Sequence, residues 1–101
     1  MHVISRPAIK AAASRHPGAA GWLEQWWRHT AGAQWESLQD VREVYPFADQ
    51  VGRCLVFNAC GNRFRLIVGV KYADDVQRGT LWVEHFLTHA EYNKEDWKGD
   101  C

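Results

Sequence analysis

The chain has 101 residues and a formal net charge of zero, with 47% hydrophobic and 24% charged residues. This apolar content excludes intrinsic disorder, and eight glycines and three prolines without a regular period exclude a collagen-like or low-complexity protein. No apolar run approaches the roughly 18 residues of a membrane span, and the opening residues are too few and too interrupted for a signal peptide. We therefore expect one domain over residues 1–101, located in the cytoplasm and without a membrane partner.

Charge is distributed unevenly along the sequence. Residues 1–71 contain nine Lys and Arg against five Asp and Glu, whereas residues 72–101 contain three against seven. A basic surface and an acidic C-terminal part can therefore coexist in a protein of zero net charge. The neutral average is only a weak argument against a nucleic-acid partner.

Helix signals dominate the first half of the chain, after a short strand predicted over residues 1–4. Ser5 is a candidate N-cap for a first helix, whose apolar residues recur at helical spacing until a Pro-Gly pair ends it. A second helix is predicted over residues 19–32, where an apolar stripe ends at a glycine. Ser37 opens a third, short helix that must stop before Pro46.

The hydrophobic period changes in the second half. Residues 54–58 are a strand by composition, and the Gly and Asn within residues 59–62 predict a hairpin turn with positive φ angles. The alternating run 63–72 is predicted as a second strand and residues 80–87 as a third. Helices followed by a strand meander predict an α+β fold, with the N-terminal helices packed on one face of a small, largely antiparallel sheet.

One face of the second predicted strand carries Arg63, Arg65 and Lys71. Arg63 and Arg65 lie one pleat apart, about 7 Å, so both can serve one phosphate region. Lys71 lies about 20 Å from Arg65 along the strand and can reach only a second phosphate. The alternative is an ordinary solvated sheet face.

His89 and Tyr92 stand three residues apart, directly after the third predicted strand. On a loop after a strand, this pair combines a side chain that carries a proton near neutral pH with a hydroxyl donor, which suits acid–base catalysis. The alternative is a capped turn with a half-buried tyrosine.

Six tryptophans could in principle stack RNA bases. Three of them, Trp22, Trp26 and Trp27, have helical spacing, which is typical of a core or of a stripe that faces a partner. Only Trp97 is kept as a candidate platform for a base.

No metal and no other cofactor are expected. His85 and His89 form an HxxxH pattern to which Cys54 and Cys60 could add ligands, but residues four apart converge on one face only in a helix, and His85 lies in a predicted strand. The three cysteines are odd in number and lack CxxC spacing, so we expect reduced, unpaired thiols. Motifs for nucleotide hydrolysis, serine hydrolases and zinc proteases are absent.

Several segments resemble the HigB-type toxins of bacterial toxin–antitoxin systems. They are the pattern FNxxGNxxR over residues 57–65 and the sequence THAEYNK over residues 88–94, together with the opening MHVI and the stretch 37–46. The resemblance implies a RelE-like, microbial-ribonuclease-like fold and cleavage of mRNA, typically on the translating ribosome. It also implies a cognate helix-turn-helix antitoxin of the HigA type and a toxin–antitoxin hetero-oligomer.

The same resemblance implies roles for individual residues. Arg65 takes the place of the family's arginine, and His89 and Tyr92 take those of its histidine and tyrosine. Asn93 stands where the family often has aspartate, which weakens any role for a carboxylate there. The residues expected to bind RNA around them are Asn58, Asn62, Arg63, Lys71 and Lys94.

The expected reaction is attack of the substrate's own 2′-OH on the adjacent phosphate, with departure of the 5′-oxygen and without a metal. His89 is the candidate acid or base, and Tyr92 orients the substrate or shares the proton transfer. Arg65, helped by Arg63 or Lys71, stabilises the developing charge. The alternative is a non-enzymatic module whose basic sheet face binds RNA or a protein, which packing of His89 and Tyr92 into the core would favour.

Overall fold

The computed structural model describes residues 1–101, with helices in the first half of the chain and most strands in the second. A short strand β1 (His2–Ile4) is followed by the helices α1 (Arg6–Arg15), α2 (Ala20–Ala31) and α3 (Leu38–Val44). Next come the strands β2 (Asp49–Val51), β3 (Cys54–Ala59), β4 (Phe64–Lys71) and β5 (Thr80–Thr88), and then the helix α4 (His89–Asn93). Segments of 3₁₀ helix cover Pro17–Ala19 and Asp96–Asp100. None of the helices is long and apolar enough to cross a lipid bilayer.

Serine caps begin α1 and α3, as predicted. The Ser5 hydroxyl accepts a hydrogen bond from the Ala8 amide at 3.2 Å, and the Ser37 hydroxyl accepts one from the Asp40 amide at 3.4 Å. These bonds satisfy amides that have no partner inside the helix. The Asp40 carboxylate also accepts from the Glu36 amide at 2.9 Å, so the turn before α3 is fixed from both sides.

The five strands form one sheet in the order β1-β5-β4-β3-β2. All neighbours are antiparallel except β1, which pairs in parallel with the start of β5. The predicted α+β fold with a largely antiparallel sheet is therefore confirmed. The hairpin between β3 and β4 turns through Cys60, Gly61 and Asn62, whose φ angles are 53°, 69° and 120°, and these positive values also agree with the prediction.

The main hydrophobic core lies between the helices and one face of the sheet. At its centre, Trp26 of α2 meets Phe57 of β3 edge to face, with ring centroids 5.6 Å apart. Because side chains alternate along a strand, the residues between the core positions face the other way. The sheet residues of this core are Leu55, Phe57, Leu66, Val68, Leu81 and Phe86, and the helical ones include Ile9, Ala12, Leu23, Trp26 and Val41.

The opposite face of the sheet is covered rather than solvated. Arg65 is only 7% exposed and Ile67 is fully buried, because the chain after β5 turns back across them. Residues 95–101, which we call the C-terminal segment, place Trp97 in a second apolar cluster with Cys54, Val56 and Ile67. At 3% exposure Trp97 offers no surface to a base, so the predicted stacking platform at Trp97 is wrong.

A disulfide joins Cys54 on β3 to Cys101, with the two Cα atoms 5.3 Å apart and a sequence separation of 47. The prediction that all three thiols are unpaired is therefore wrong. The pairing depends on the return of the C-terminal segment across the sheet, which cysteine spacing does not reveal. Cys60 is the free cysteine, and partial burial raises the pKa of its thiol.

Candidate active site

Arg65 lies near the start of β4, directly opposite Asn58 on β3. Its Nη1 donates to the backbone oxygens of Asn62 and Phe64, both at 3.1 Å, and its Nη2 donates to the Asn62 side-chain oxygen at 2.6 Å. A guanidinium has five N–H groups, so the Nε–H and one Nη2–H stay without an acceptor. The Nε atom has no partner and is not among the fully buried unpaired nitrogens, so it keeps some contact with solvent. Arg65 is therefore fixed in place at 7% exposure, and two of its N–H groups have no protein acceptor.

The ring of Tyr92 supports the Arg65 guanidinium. The central carbon of the guanidinium lies over the Tyr92 ring, 5.1 Å from its centroid, which is within the range of a cation–π contact. The Tyr92 ring stacks on Trp97 with centroids 5.0 Å apart and planes inclined by 13°. Trp97 Nε1 also donates to the Tyr92 backbone oxygen at 2.9 Å. Trp97 is thus a support for the site, a role that sequence reasoning missed.

His89 and Tyr92 lie on a short helix and not on the predicted loop. The Thr88 hydroxyl accepts a hydrogen bond from the Glu91 amide at 3.2 Å, and the Glu91 carboxylate accepts one from the Thr88 amide at 2.9 Å, which completes a capping box. The hydrogen bond from the Thr88 amide to the carboxylate, with a further contribution from the Thr88 side chain, holds the pKa of Glu91 below its usual value. Because residues three apart are neighbours on a helix surface, His89 and Tyr92 share one side of α4.

His89 is exposed in the first turn of α4, and its amide donates to the Arg63 carbonyl at 3.2 Å. This bond ties the start of α4 to the residues that lead into β4. Tyr92 is half-buried, as the alternative of a capped turn expected, but its ring contacts Arg65 and Trp97 and not the main core. The structure therefore brings Arg65, His89 and Tyr92 to the same end of the sheet.

Replacing Thr88 with Ala is expected to lower the free energy of unfolding by about 1 kcal/mol, the usual cost of losing a helix N-cap. Urea unfolding followed by circular dichroism measures the change. The control Thr88→Ser keeps the hydroxyl and should retain most of the stability. An unchanged unfolding midpoint for Thr88→Ala would contradict a role for this cap in holding α4.

The sequence model of the HigB toxin family, the RelE-like toxic component of a toxin–antitoxin system, matches residues 19–95. The chain belongs to this family. The resemblance inferred from the sequence motifs, and the RelE-like fold that it implies, are thereby confirmed.

Two full-length comparisons agree with this HigB assignment. The chain is 25% identical over 97 residues to an mRNA interferase HigB of Escherichia coli O6:H1, over 93% of the chain and 90% of that protein. It is also 25% identical over 96 residues to the mRNA interferase toxin HigB of Escherichia coli K12, over 92% of the chain and 88% of that relative. The similarity to bacterial HigB proteins therefore extends along nearly the whole chain.

Two predicted RNA-binding residues of this HigB-family chain lie away from Arg65. Lys71 is at the other end of β4, about 20 Å along the strand, where it pairs with Thr80 of β5. Lys94 is the C-cap of α4 and lines a separate groove beside Trp97. The other three predicted RNA-binding residues are exposed and lie close to Arg65, either opposite it in the sheet or near it in the sequence. These are Asn58 opposite Arg65 on β3, and Asn62 and Arg63 in the hairpin before it.

The HxxxH histidines of this HigB-family chain do not converge. His85 lies on β5 with its Nε2 2.6 Å from an Asp100 carboxylate oxygen, whereas His89 lies on α4. Cys54, the other ligand considered, is bound in the disulfide. No group of three or more His, Cys, Asp or Glu side chains is placed to hold a metal ion.

Sequence reasoning also missed Phe47, which is 80% exposed in the connection between α3 and β2. Phe47 lines a shallow groove with Asn58, Gly61 and Asn62. A phenylalanine beside a proline gives no sign in the sequence that its ring points to solvent, since most large apolar residues are buried.

Proposed function

We propose that this HigB-family chain is an endoribonuclease that cleaves mRNA on the translating ribosome, without a metal, by attack of the substrate's own 2′-OH. The names of its relatives, which are mRNA interferases, support the choice of substrate. The observation that carries the proposal is the way in which the Arg65 guanidinium is held. Its guanidinium is held by three hydrogen bonds and the Tyr92 ring, and it keeps two free donors beside the helix that carries His89.

The reaction needs two proton transfers. A base removes the proton of the 2′-OH, the 2′-oxygen forms a bond to phosphorus, and an acid protonates the 5′-oxygen as the P–O5′ bond breaks. The products are a 2′,3′-cyclic phosphate and a 5′-OH, so no water is consumed. We assign one of these transfers to His89, whose exposed position on α4 leaves it open to substrate. Tyr92 orients the substrate or shares the other transfer.

Arg65 stabilises the charge that develops on the phosphoryl oxygens. Two N–H groups of one guanidinium form the fork that recognises phosphate oxygens in pairs. Because Asn62 and Tyr92 already hold the group, its reorganisation during the reaction is small, and this preorganisation is the main source of electrostatic catalysis. Arg63 adds positive charge next to Arg65, and Lys71 and Lys94 contact more distant phosphates.

Delivery of the substrate by the ribosome fits the neutral charge of the chain. A nuclease that captures free RNA gains affinity from a basic surface, whereas a ribosome-bound enzyme obtains its RNA by docking. In this proposal the protein acts in the cytoplasm. A helix-turn-helix antitoxin of the HigA type, encoded beside it, neutralises it in a toxin–antitoxin hetero-oligomer.

His89→Ala and Arg65→Ala are each expected to slow cleavage by about 10²-fold or more, the usual scale for losing a positioned acid or base or a charge-stabilising donor. Primer extension on mRNA from translating ribosomes measures the cut, after removal of transition metals and with magnesium kept for ribosome integrity. His2→Ala is the matched control, because His2 is an exposed histidine on β1 that pairs with Thr80, at the other end of β5.

The same experiment separates the proposal from its alternatives. RNA that is bound but never cut, with or without ribosomes, would favour the non-enzymatic module. Activity that is lost on chelation and restored only by zinc would contradict the metal-free reaction.

In cells, expression of the chain alone should arrest growth and co-expression of the neighbouring gene should relieve the arrest. Harmless expression at high soluble yield, without a translation defect, would contradict the toxin assignment.

A further inference from the structure

An exposed aromatic ring stands beside the candidate active site. Phe47 is 80% exposed, although the other rings near it, such as Tyr45, pack into the aromatic core. Only Val76 is more exposed among the large apolar residues, and it lies in the connection between β4 and β5. On one side Phe47 is continuous with a small apolar groove that contains Val44 and Ala48. On the other side it borders the amide side chains of the β3–β4 hairpin.

The amides beside Phe47 have free hydrogen-bonding capacity. Asn58 is exposed and lines both grooves that meet at Phe47, and its side chain is absent from the hydrogen-bond network that holds Arg65. Asn62 accepts from Arg65 with its side-chain oxygen, its NH₂ group has no protein acceptor, and the residue lines the groove. A primary amide offers one donor site and one acceptor site side by side, which matches the edge of a nucleobase. No Asp, Glu, Lys or Arg side chain lines either groove.

We propose that Phe47, Asn58 and Asn62 form a nucleobase subsite, in which one base of the RNA stacks on the Phe47 ring while the Asn58 amide reads its edge. This inference rests on the proposed ribonuclease function. It adds an explanation of why the enzyme would cut next to some bases more readily than others. Stacking on an aromatic ring binds any base, because every base has a π face, whereas the amide discriminates between them.

The register of the sheet ties this subsite to the reacting phosphate. Asn58 is directly opposite Arg65, and opposite residues on antiparallel strands have Cβ atoms about 5 Å apart on the same face. A base held by Asn58 is thus one sugar away from a phosphate held by the free donors of Arg65. The subsite therefore takes a nucleotide at or next to the cut, and not a distant part of the message.

The test compares cut positions and rates on translating ribosomes programmed with an mRNA of mixed codons. Phe47→Leu is expected to lower the rate at preferred sites by about tenfold, the scale of losing one stacked base, and Phe47→Trp should restore it. Asn58→Ala should reduce the ratio between preferred and disfavoured bases by about tenfold, while Arg65 keeps all three of its hydrogen bonds. Val76→Ala is the matched control for loss of an exposed apolar side chain, and thermal melting verifies that each variant folds.

The outcomes distinguish this inference from the proposed function. If Phe47→Leu and Asn58→Ala cut at the rates and positions of the parent while His89→Ala does not cut, the subsite is wrong and the ribonuclease proposal stands. If the parent chain itself does not cut RNA, the ribonuclease proposal fails, whereas a His89→Ala variant that cuts normally would overturn only the role of His89. A Phe47→Leu variant that cuts normally but no longer binds the antitoxin would show that Phe47 serves a protein partner, which also overturns the nucleobase subsite.

Discussion

A single deoxyribose on the 5′ side of the scissile phosphate is expected to abolish cleavage of the message while leaving its binding nearly intact. The nucleophile in the proposed reaction is the 2′-OH of that ribose, so its removal leaves no group to form the new bond to phosphorus. One hydroxyl contributes little to a contact dominated by phosphates, so affinity should hardly change. The substrate is a short mRNA with one deoxyribose in the ribosomal A site, and cut ends and bound protein are measured in parallel.

The position of the deoxyribose supplies the control for this experiment. The same substitution one nucleotide further along the message removes a hydroxyl of equal chemistry that takes no part in the reaction, and cleavage should then persist. The cut products should carry a 2′,3′-cyclic phosphate and a 5′-OH. Cleavage of the deoxy substrate at the same bond would exclude the 2′-OH mechanism and would require a water molecule as nucleophile.

Loss of the Cys54–Cys101 disulfide is expected to lower the free energy of unfolding of the oxidised protein by about 4 kcal/mol. This magnitude follows from the entropy of closing a loop with a sequence separation of 47 residues in the unfolded chain. Cys54→Ser and Cys101→Ser should each cost this amount, and the double variant should cost no more, because either change removes the same bond. Urea unfolding under oxidising conditions measures the effect, and Cys60→Ser, which removes the free thiol, is the control.

The same bond should also affect the candidate site. The C-terminal segment carries Trp97, on which Tyr92 stacks, so loosening it reduces the support of the Arg65 guanidinium. The proposed function places the protein in the cytoplasm, where thiols are usually kept reduced, so stability and cleavage are compared with and without a thiol reductant. Equal stability of Cys54→Ser and the parent protein under oxidising conditions would show that the bond does not form in solution.

The sequence predicted elements correctly where residues close together in the chain determine the local structure. The serine caps at Ser5 and Ser37 and the hairpin turn at residues 60–62 depend on residues only a few positions apart, and all three were predicted from the sequence. The strand β2 was missed, because three residues are too few to show an alternating pattern. The helix α4 was missed because its five residues are too few to show a helical pattern. Thr88 and Glu91 nevertheless have the spacing of a capping box, which could have indicated it.

The sequence indicated which residues form the candidate site, but not which aromatic rings hold them in place. Arg65, His89 and Tyr92 were indicated by the residue pattern and by the resemblance to a family, whereas their separation in sequence gives no hint that Tyr92 lies under Arg65. Trp97 was interpreted as an exposed ring and is buried, because the C-terminal segment returns across the sheet and covers the second face. Such long-range packing has no local signature, since it depends on which elements meet in three dimensions.

The return of the C-terminal segment also sets the order in which a newly made chain becomes competent. Arg65 and its hairpin are made before Tyr92 and Trp97, whose rings cover the arginine in the folded chain. A domain generally folds as a unit. Because Tyr92 and Trp97 follow all five strands in the chain, the support of the guanidinium can form only after the residues of the whole sheet have been made.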